Sequence, residues 1–169
     1  MSNANPWPWI LRPVRAADDP ALAEIIRDVM TEHGCSGDGF AIHDAEVLSM
    51  SDAYRRDRAG YFVVERDGAV LGGAGFAQLA GTRAEDAVCE LRKMYFRPEA
   101  RGLGLGRAML ELLFQEMHDA GFRRCYLETT SWMAAAQRLY RAAGFVEQPA
   151  AEGETGHHGC DTFFRRDLP

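Results

Sequence analysis

The sequence predicts an α/β fold in which one mixed β-sheet of about seven strands carries helices on both faces. Three observations lead there. Tyr61-Phe62-Val63-Val64-Glu65 and the run Val70 to Ala77 flank Arg66-Asp67-Gly68, and Asp-Gly between two β-prone runs is a strong hairpin signal. Further on, Val88 to Phe96 passes through a glycine-rich turn into a helical pattern and then another β-prone run, a strand-helix-strand unit of the kind that makes neighbouring strands parallel. Finally, 169 residues with 47% apolar side chains suffice for one domain with its own core, without disulfides or a structural metal.

Taken in order, Leu11 to Arg15 reads as a short first strand. Asp18 or Asp19 is positioned to cap a helix whose apolar residues Leu22, Ile25, Ile26, Val29 and Met30 recur at helical spacing, and which stops near Gly34. A Gly- and Ser-rich loop (34–39) leads to a second helical stretch, roughly Asp44 to Tyr54. The hairpin follows, and Val88 to Phe96 ends at Pro98. The next helix carries Leu105, Ala108, Met109, Leu112, Leu113 and Met117 and closes at Gly121. Phe122 to Glu128 is a strand, Met133 to Ala143 a helix ended by Gly144, and Phe145-Val146-Glu147 and Thr162-Phe163-Phe164 are the last strands. Residues 81–86 and 148–159 read as loops. We expect an N-terminal extension over 1–9 and a single domain over 10–169.

Composition narrows the function. No run approaches the ~18 apolar residues of a membrane span, and Met1 to Trp9 lacks the basic cluster and apolar run of a secretory signal, so a cytoplasmic protein without a membrane partner is expected. Cys35, Cys89, Cys125 and Cys160 lie far apart with no C-x-x-C pair, which suits reduced thiols and no metal site. A formal charge of -6 argues against nucleic acid and is compatible with a cationic amine.

The chemistry-bearing motif is Arg101-Gly102-Leu103-Gly104-Leu105-Gly106. Glycines at 102, 104 and 106 let backbone amides approach an anion closely, and the helix starting there adds unpaired amides and a positive dipole end. Arg101 and Arg107 bracket the turn and suit forked contacts with phosphate oxygens. A dinucleotide fingerprint fails, because Arg107 or Met109 falls where its third glycine is needed, and a Walker A loop fails because Arg107-Ala108 follows Gly106. A glycine-rich turn with no ligand is the alternative to an anion site.

Arg101-x-x-Gly104-x-Gly106 resembles the signature of the GNAT superfamily of N-acetyltransferases. Glu90 to Pro98 is similar to that family's fourth strand, and Ala136-Gln137-Arg138-Leu139-Tyr140-Arg141-Ala142-Ala143-Gly144-Phe145 to its A-x-x-L-Y-x-x-x-G-F segment. The resemblance covers residues 10–168 and implies a sheet splayed between strands 4 and 5, with acetyl-CoA as acyl-donor co-substrate in the opening. It implies that Met94, Tyr95 and Phe96 flank pantetheine, and that Arg101, Gly102, Leu103, Gly104, Leu105, Gly106 and Arg107 hold the pyrophosphate. Many relatives carry Asn where this chain has Met133, which removes one polar contact to pantetheine.

The resemblance also implies the catalytic pair. An attacking amine must lose a proton, and Glu90, eleven residues before Arg101, stands where some members use a strand Glu as general base; its structural alternative is a strand-edge carboxylate paired with Arg92 or Arg124. Tyr140 stands where the family uses a Tyr to protonate the departing thiolate, against the alternative of a core aromatic. His157-His158 reads as loop or substrate-adjacent, Cys160 as an inert thiol, and Trp7, Trp9 and Trp132 as packing residues or pocket walls.

The resulting expectation is an N-acetyltransferase moving acetyl to a primary amine, a small molecule with a protein N-terminus or lysine as the other acceptor class, by direct attack in a ternary complex. Its acceptor pocket would be built from the first two helices, the 31–43 loop and the 148–159 loop. The alternative from another class is a non-catalytic acyl-CoA-binding sensor or subunit. A homodimer is the commonest assembly if the chain self-associates.

Overall fold

A computed structural model describes residues 8–169; the reading of Met1 to Trp9 as an extension without a signal, and Trp7 with it, falls mostly outside the described residues. Seven strands form one sheet: β1 (Ile10–Pro13), β2 (Ala59–Arg66), β3 (Ala69–Gln78), β4 (Val88–Phe96), β5 (Arg124–Thr129), β6 (Val146–Gln148) and β7 (Thr162–Asp167). Their spatial order is β1-β2-β3-β4-β5-β7-β6. All neighbours are antiparallel except β4 and β5, which the intervening helix makes parallel. In the β2–β3 turn Asp67 and Gly68 have φ of 52° and 81°, the paired left-handed geometry of a tight hairpin turn.

Helices α1 (Asp19–Glu32) and α2 (Met50–Ala53) lie on one face, α3 (Leu105–Asp119) and α4 (Ala134–Ala142) on the other. Leu22, Ile26 and Met30 of α1 pack against Tyr61, Val63 and Ala77, while Met109, Leu113 and Met117 of α3 and Tyr140 of α4 meet Phe62, Val64, Phe76 and Leu127. Strand alternation divides β2 between these two cores, odd residues to the first and even to the second. Trp9 packs against the second core and lies under the Arg66 guanidinium. All four cysteines are free thiols. Among the described residues no helix is long and apolar enough to cross a membrane.

Three local expectations need correction. The first strand runs Ile10–Pro13 rather than Leu11 to Arg15, because its pairing with β2 ends at Pro13↔Phe62 and the chain turns into a 3-10 helix at Ala16–Asp18. No side chain caps α1: Asp18 turns back to the Arg15 amide and the Arg12 guanidinium, and Asp19 accepts from the Ser51 amide and hydroxyl. The helix expected over Asp44 to Tyr54 is broken into a 3-10 turn at Ala45–Leu48 and the single turn α2, with a further 3-10 turn at Ala41–His43 just before it. Asp44 and Ser49 leave helical backbone at the joints. Burial of Val47 and Met50, and the pull of Lys93 on Asp44 and Glu46, outweigh local propensity there.

Two irregularities position the site. β4 and β5 pair only over Val88↔Arg124, Cys89↔Cys125 and Glu90↔Tyr126, and then part. β3 and β4 are in register at Gly73↔Tyr95 and at Gly75↔Arg92, so Lys93 and Met94 together oppose Ala74, a β-bulge with Lys93 at φ 49°. A left-handed Lys is strained by on the order of 1 kcal/mol and persists only where its surroundings fix it. Here the buried Tyr61 hydroxyl donates to the Lys93 carbonyl at 2.8 Å. Gly73 and Gly75 make room for that ring: a Cβ on either would come within 2.6 Å of a Tyr61 ring carbon and of a β2 carbonyl oxygen.

Candidate active site

The parting of β4 from β5 opens a groove with two ends. At the first, a 3-10 turn over Pro98–Ala100 delivers the chain to Gly102 and Gly104, with φ of 72° and 79°, and α3 begins at Leu105. The first intrahelical bond runs from the Ala108 amide to the Gly104 carbonyl at 3.1 Å. The amides of Leu105, Gly106 and Arg107 lie ahead of it, no side chain caps them, and they face outward at the positive end of a fifteen-residue helix. A Cβ on Gly106 would fall 2.9 Å from Cδ2 of Leu139, so this glycine also lets α4 close against α3.

Arg101, Gly102, Gly104, Gly106 and Arg107 line this end together with Trp132 to Ala136. The expected arginine roles are modified by ion pairing. Arg101 donates through Nε to the Phe96 carbonyl at 2.9 Å and through both terminal nitrogens to Glu32 at 2.8 and 2.9 Å, which ties the turn to α1. Arg107 is exposed and pairs with Glu111 at 3.0 Å. Leu103 is exposed and Leu105 joins the core, so neither side chain lines the groove. Trp132 donates its indole N–H to the His33 carbonyl at 2.8 Å, bracing the rim against the end of α1.

Met94, Tyr95, Met133 and Tyr140 line the waist shared by both ends. Phe96 faces the first end alone. Met133, at the start of α4, accepts a weak contact from the Thr129 hydroxyl at 3.8 Å. Tyr140 is held by Phe145 and Phe164, whose ring centroids are 5.9 and 6.1 Å away. Its hydroxyl makes no hydrogen bond to a described residue, and burial pushes its pKa upward. The phenol therefore stays protonated at neutral pH and is available as a donor.

The second end is built from charge. Glu90, 3% exposed, is interior to the sheet rather than at its edge, and its Oε2 accepts from Arg92 Nε at 2.7 Å. Arg124 pairs instead with Asp167. The bulge turns Arg92 and Lys93 toward the same face, where both reach Glu46, at 3.8 and 2.7 Å, and Lys93 also reaches Asp44 at 2.6 Å. His157 comes in from the 148–159 loop: Nε2 is 3.1 Å from Asp44, and Nδ1 is 3.8 Å from Glu90 and 3.9 Å from Glu128. A Gly159 amide bond to the Gly39 carbonyl and the Phe40 ring against Gly159 join the two loops that cover this end.

Burial drives the Glu90 carboxyl above the ordinary glutamate value, although Arg92 and His157 oppose it. The hydrogen bond to Asp44 raises His157. Burial would raise Asp44 too, but the His157 hydrogen bond and the Lys93 charge outweigh it and hold that carboxyl at about 2. Burial pushes Cys160, which lines the same end, up to about 12, so its thiol is un-ionised at neutral pH. Among the described residues, no group of three His, Cys, Asp or Glu side chains is arranged to hold a metal ion.

Glu90, Tyr140 and the glycine turn are thus brought onto one groove, with Val29, Met30, Phe40 and Ala41 from α1 and the following loop as walls. Sequence reading named Arg92 as a partner of Glu90 and missed Lys93, Glu128 and the partners of His157. A carboxylate directly after the apolar triplet Cys125-Tyr126-Leu127 was the one local signal for Glu128; nothing local marks His157, whose neighbours come from distant segments.

A parallel pair that parts beside a bulged strand, with a glycine-rich helix start directly after it, is the arrangement the resemblance to N-acetyltransferases implied, and comparison with known proteins gives the class. Residues 21–145 match the acetyltransferase (GNAT) family. An Escherichia coli K12 protein named uncharacterized N-acetyltransferase YjgM is 37% identical over 169 residues, spanning 99% of this chain and 100% of that one. The structure of yncA, a putative acetyltransferase from Salmonella typhimurium with its cofactor acetyl-CoA, superposes with a TM-score of 0.76 at 23% identity, covering 96% of this chain and 95% of the other. A GNAT superfamily phosphinothricin acetyltransferase from Sinorhizobium meliloti, in complex with acetyl-CoA, gives 0.75 at 26% identity, covering 96% and 89%. The chain belongs to the acetyltransferase (GNAT) family and is an acyltransferase enzyme.

Proposed function

We propose that this enzyme transfers the acetyl group of acetyl-CoA to a small-molecule primary amine by direct attack within a ternary complex. The observation that carries this is the joining, in one groove, of a glycine-rich helix start at one end and a buried carboxylate at the other, with an unpartnered phenol between them. The acetyl-CoA bound by the two solved neighbours supports the same donor here. When bound, it supplies an activated acyl group that the protein need only orient.

The residues fit that donor. Amides from Gly102 to Arg107 and the α3 dipole suit a pyrophosphate, with Arg107 free to swing from its exposed partner. β4 beyond Glu90 lacks a neighbour on the β5 side, so the backbone of Met94 and Phe96 suits pantetheine as an added strand. Glu90 accepts the proton released by the amine, whose nitrogen pair forms the new bond to the acyl carbon as the carbon–sulfur bond breaks. Tyr140 protonates the departing thiolate. A raised Glu90 pKa suits a general base working near neutrality.

The test is thiol release and acetylated product across a panel of amines. Wild type should turn over at least one amine. Glu90→Gln should lower kcat by about a hundredfold to ten-thousandfold with the KM for acetyl-CoA unchanged. Because the base must be ionised, the acid limb of the wild-type profile should lie above the ~4.3 of an ordinary glutamate. Unchanged turnover in Glu90→Gln would remove the base role.

A further inference from the structure

Glu128 stands apart from the other carboxylates of the acceptor end. Glu90 has Arg92, Asp44 has Lys93, and Glu46 has both. Glu128 has neither a Lys nor an Arg partner among the described residues. Its Oε1 accepts from the Tyr126 hydroxyl at 2.8 Å, its Oε2 from the Thr155 hydroxyl at 2.9 Å, and the nearest positive group is His157 at 3.9 Å. The side chain is 4% exposed and lines the same cleft as Glu90. Withdrawing a carboxylate from water without an ion partner is costly, and hydroxyl donors offset only part of that cost.

A second, independent observation lies two residues on. Thr130 is 1% exposed and lines this cleft, yet its hydroxyl has no hydrogen-bond partner. Buried polar groups are nearly always satisfied, so an orphan in a cleft wall points to a ligand. The charge balance gives that ligand its sign: Asp44, Glu46, Glu90 and Glu128 face Arg92 and Lys93, and a protonated His157 still leaves the cluster negative.

We propose that Glu128 and Thr130 form the seat of the acceptor, and that the acceptor's reacting end is an ammonium group with no carboxylate beside it. This rests on the acetyl-transfer reading above. Glu128 supplies the charge, Thr130 accepts a further N–H, and Glu90, on the adjacent strand and near the same His157 nitrogen, takes the proton. An α-amino acid would set its own carboxylate among these oxygens and be repelled.

The experiment compares matched pairs, tyramine with tyrosine and histamine with histidine, on wild type, Glu128→Gln and Thr130→Val. Gln keeps an oxygen for Tyr126 and a polar group for Thr155, so the network persists while the charge is lost. Wild type should prefer the amine of each pair. Glu128→Gln should raise the amine KM roughly tenfold or more, the effect of losing a charge-assisted hydrogen bond, with kcat and the KM for acetyl-CoA unchanged. Thr130→Val should raise it by a smaller factor. An unchanged amine KM in both variants, or a wild type that prefers the amino acid, overturns the seat and leaves acetyl transfer intact. A wild type that releases thiol with no amine at all overturns both readings together.

Discussion

Tyr140 separates two roles that a buried aromatic can combine. Its ring packs against Phe145 and Phe164, while its hydroxyl is unpartnered and borders both ends of the groove. Tyr140→Phe should therefore leave the thermal midpoint unchanged and lower kcat by about a hundredfold or more, measured by calorimetry and thiol release on the same preparation. A variant that lost stability and kept its rate would make Tyr140 a core residue only. Asp44 and Glu90 carry opposite pH signatures. Asp44, held at about 2, contributes stability that is complete above its ordinary value of 3.8 and is lost as pH falls through about 2. Glu90, raised by burial, favours folding most below the ordinary glutamate value, and that contribution is lost as pH rises through its folded pKa. Its ionised form is the one the reaction needs, so activity and stability pull in opposite directions at this residue. Denaturation midpoints between pH 2 and 5 should fall less steeply in Asp44→Asn than in wild type; identical slopes would remove Asp44 from the account. Glu90 was picked out in the sequence by its spacing from Arg101 and Tyr140 by the Leu-Tyr pair in register with Gly144-Phe145, and the structure puts both side chains on the groove. The Asp44–His157 contact was not, since it joins residues 113 apart in sequence.

Among the elements, β4 matters most. Its ends at Val88 and Phe96 agree with the sequence reading, because the β-prone run and Pro98 are local signals. The bulge at Lys93 was invisible, because nothing in Arg92-Lys93-Met94 marks an extra residue; it arises from pairing with β3 and from the Tyr61 hydroxyl. The bulge in turn sends two successive cations to one face, where they fix Asp44, Glu46 and Glu90. Gly75→Ala should test this support. Its Cβ would meet the Gly60 carbonyl and the Tyr61 ring at 2.5 Å, so a loss of roughly 1–3 kcal/mol or more in denaturant unfolding is expected, with activity falling in the molecules that remain folded. Gly68→Ala has open space but a φ of 81°, so it should cost only about 1 kcal/mol and leave activity intact. Equal effects at the two positions would mean that the Tyr61 brace is not what holds the bulge. The Asp44 to Tyr54 segment shows the converse limit: its helical pattern was real in sequence, but buried Met50 and the pull of Lys93 broke it into single turns.

At the scale of the whole molecule, the order β-α-α-β-β-β-α-β-α-β-β was legible, and a mixed sheet with helices on both faces followed from it. The groove was not a property of any element. It exists because β4 and β5 share only three paired positions before they diverge, leaving a passage that joins the helix start at Gly104 to the carboxylates at Glu90 and Glu128. The proposed direct transfer needs donor and acceptor held together in this groove, and burial raises the pKa of both cysteines that line it, Cys35 and Cys160, which disfavours a thiolate carrier. Initial-rate kinetics with acetyl-CoA and amine both varied test this most directly. Intersecting double-reciprocal lines, with no acetylated protein detectable by mass spectrometry in the absence of amine, are the predicted result; parallel lines with an acetyl-enzyme would contradict direct transfer.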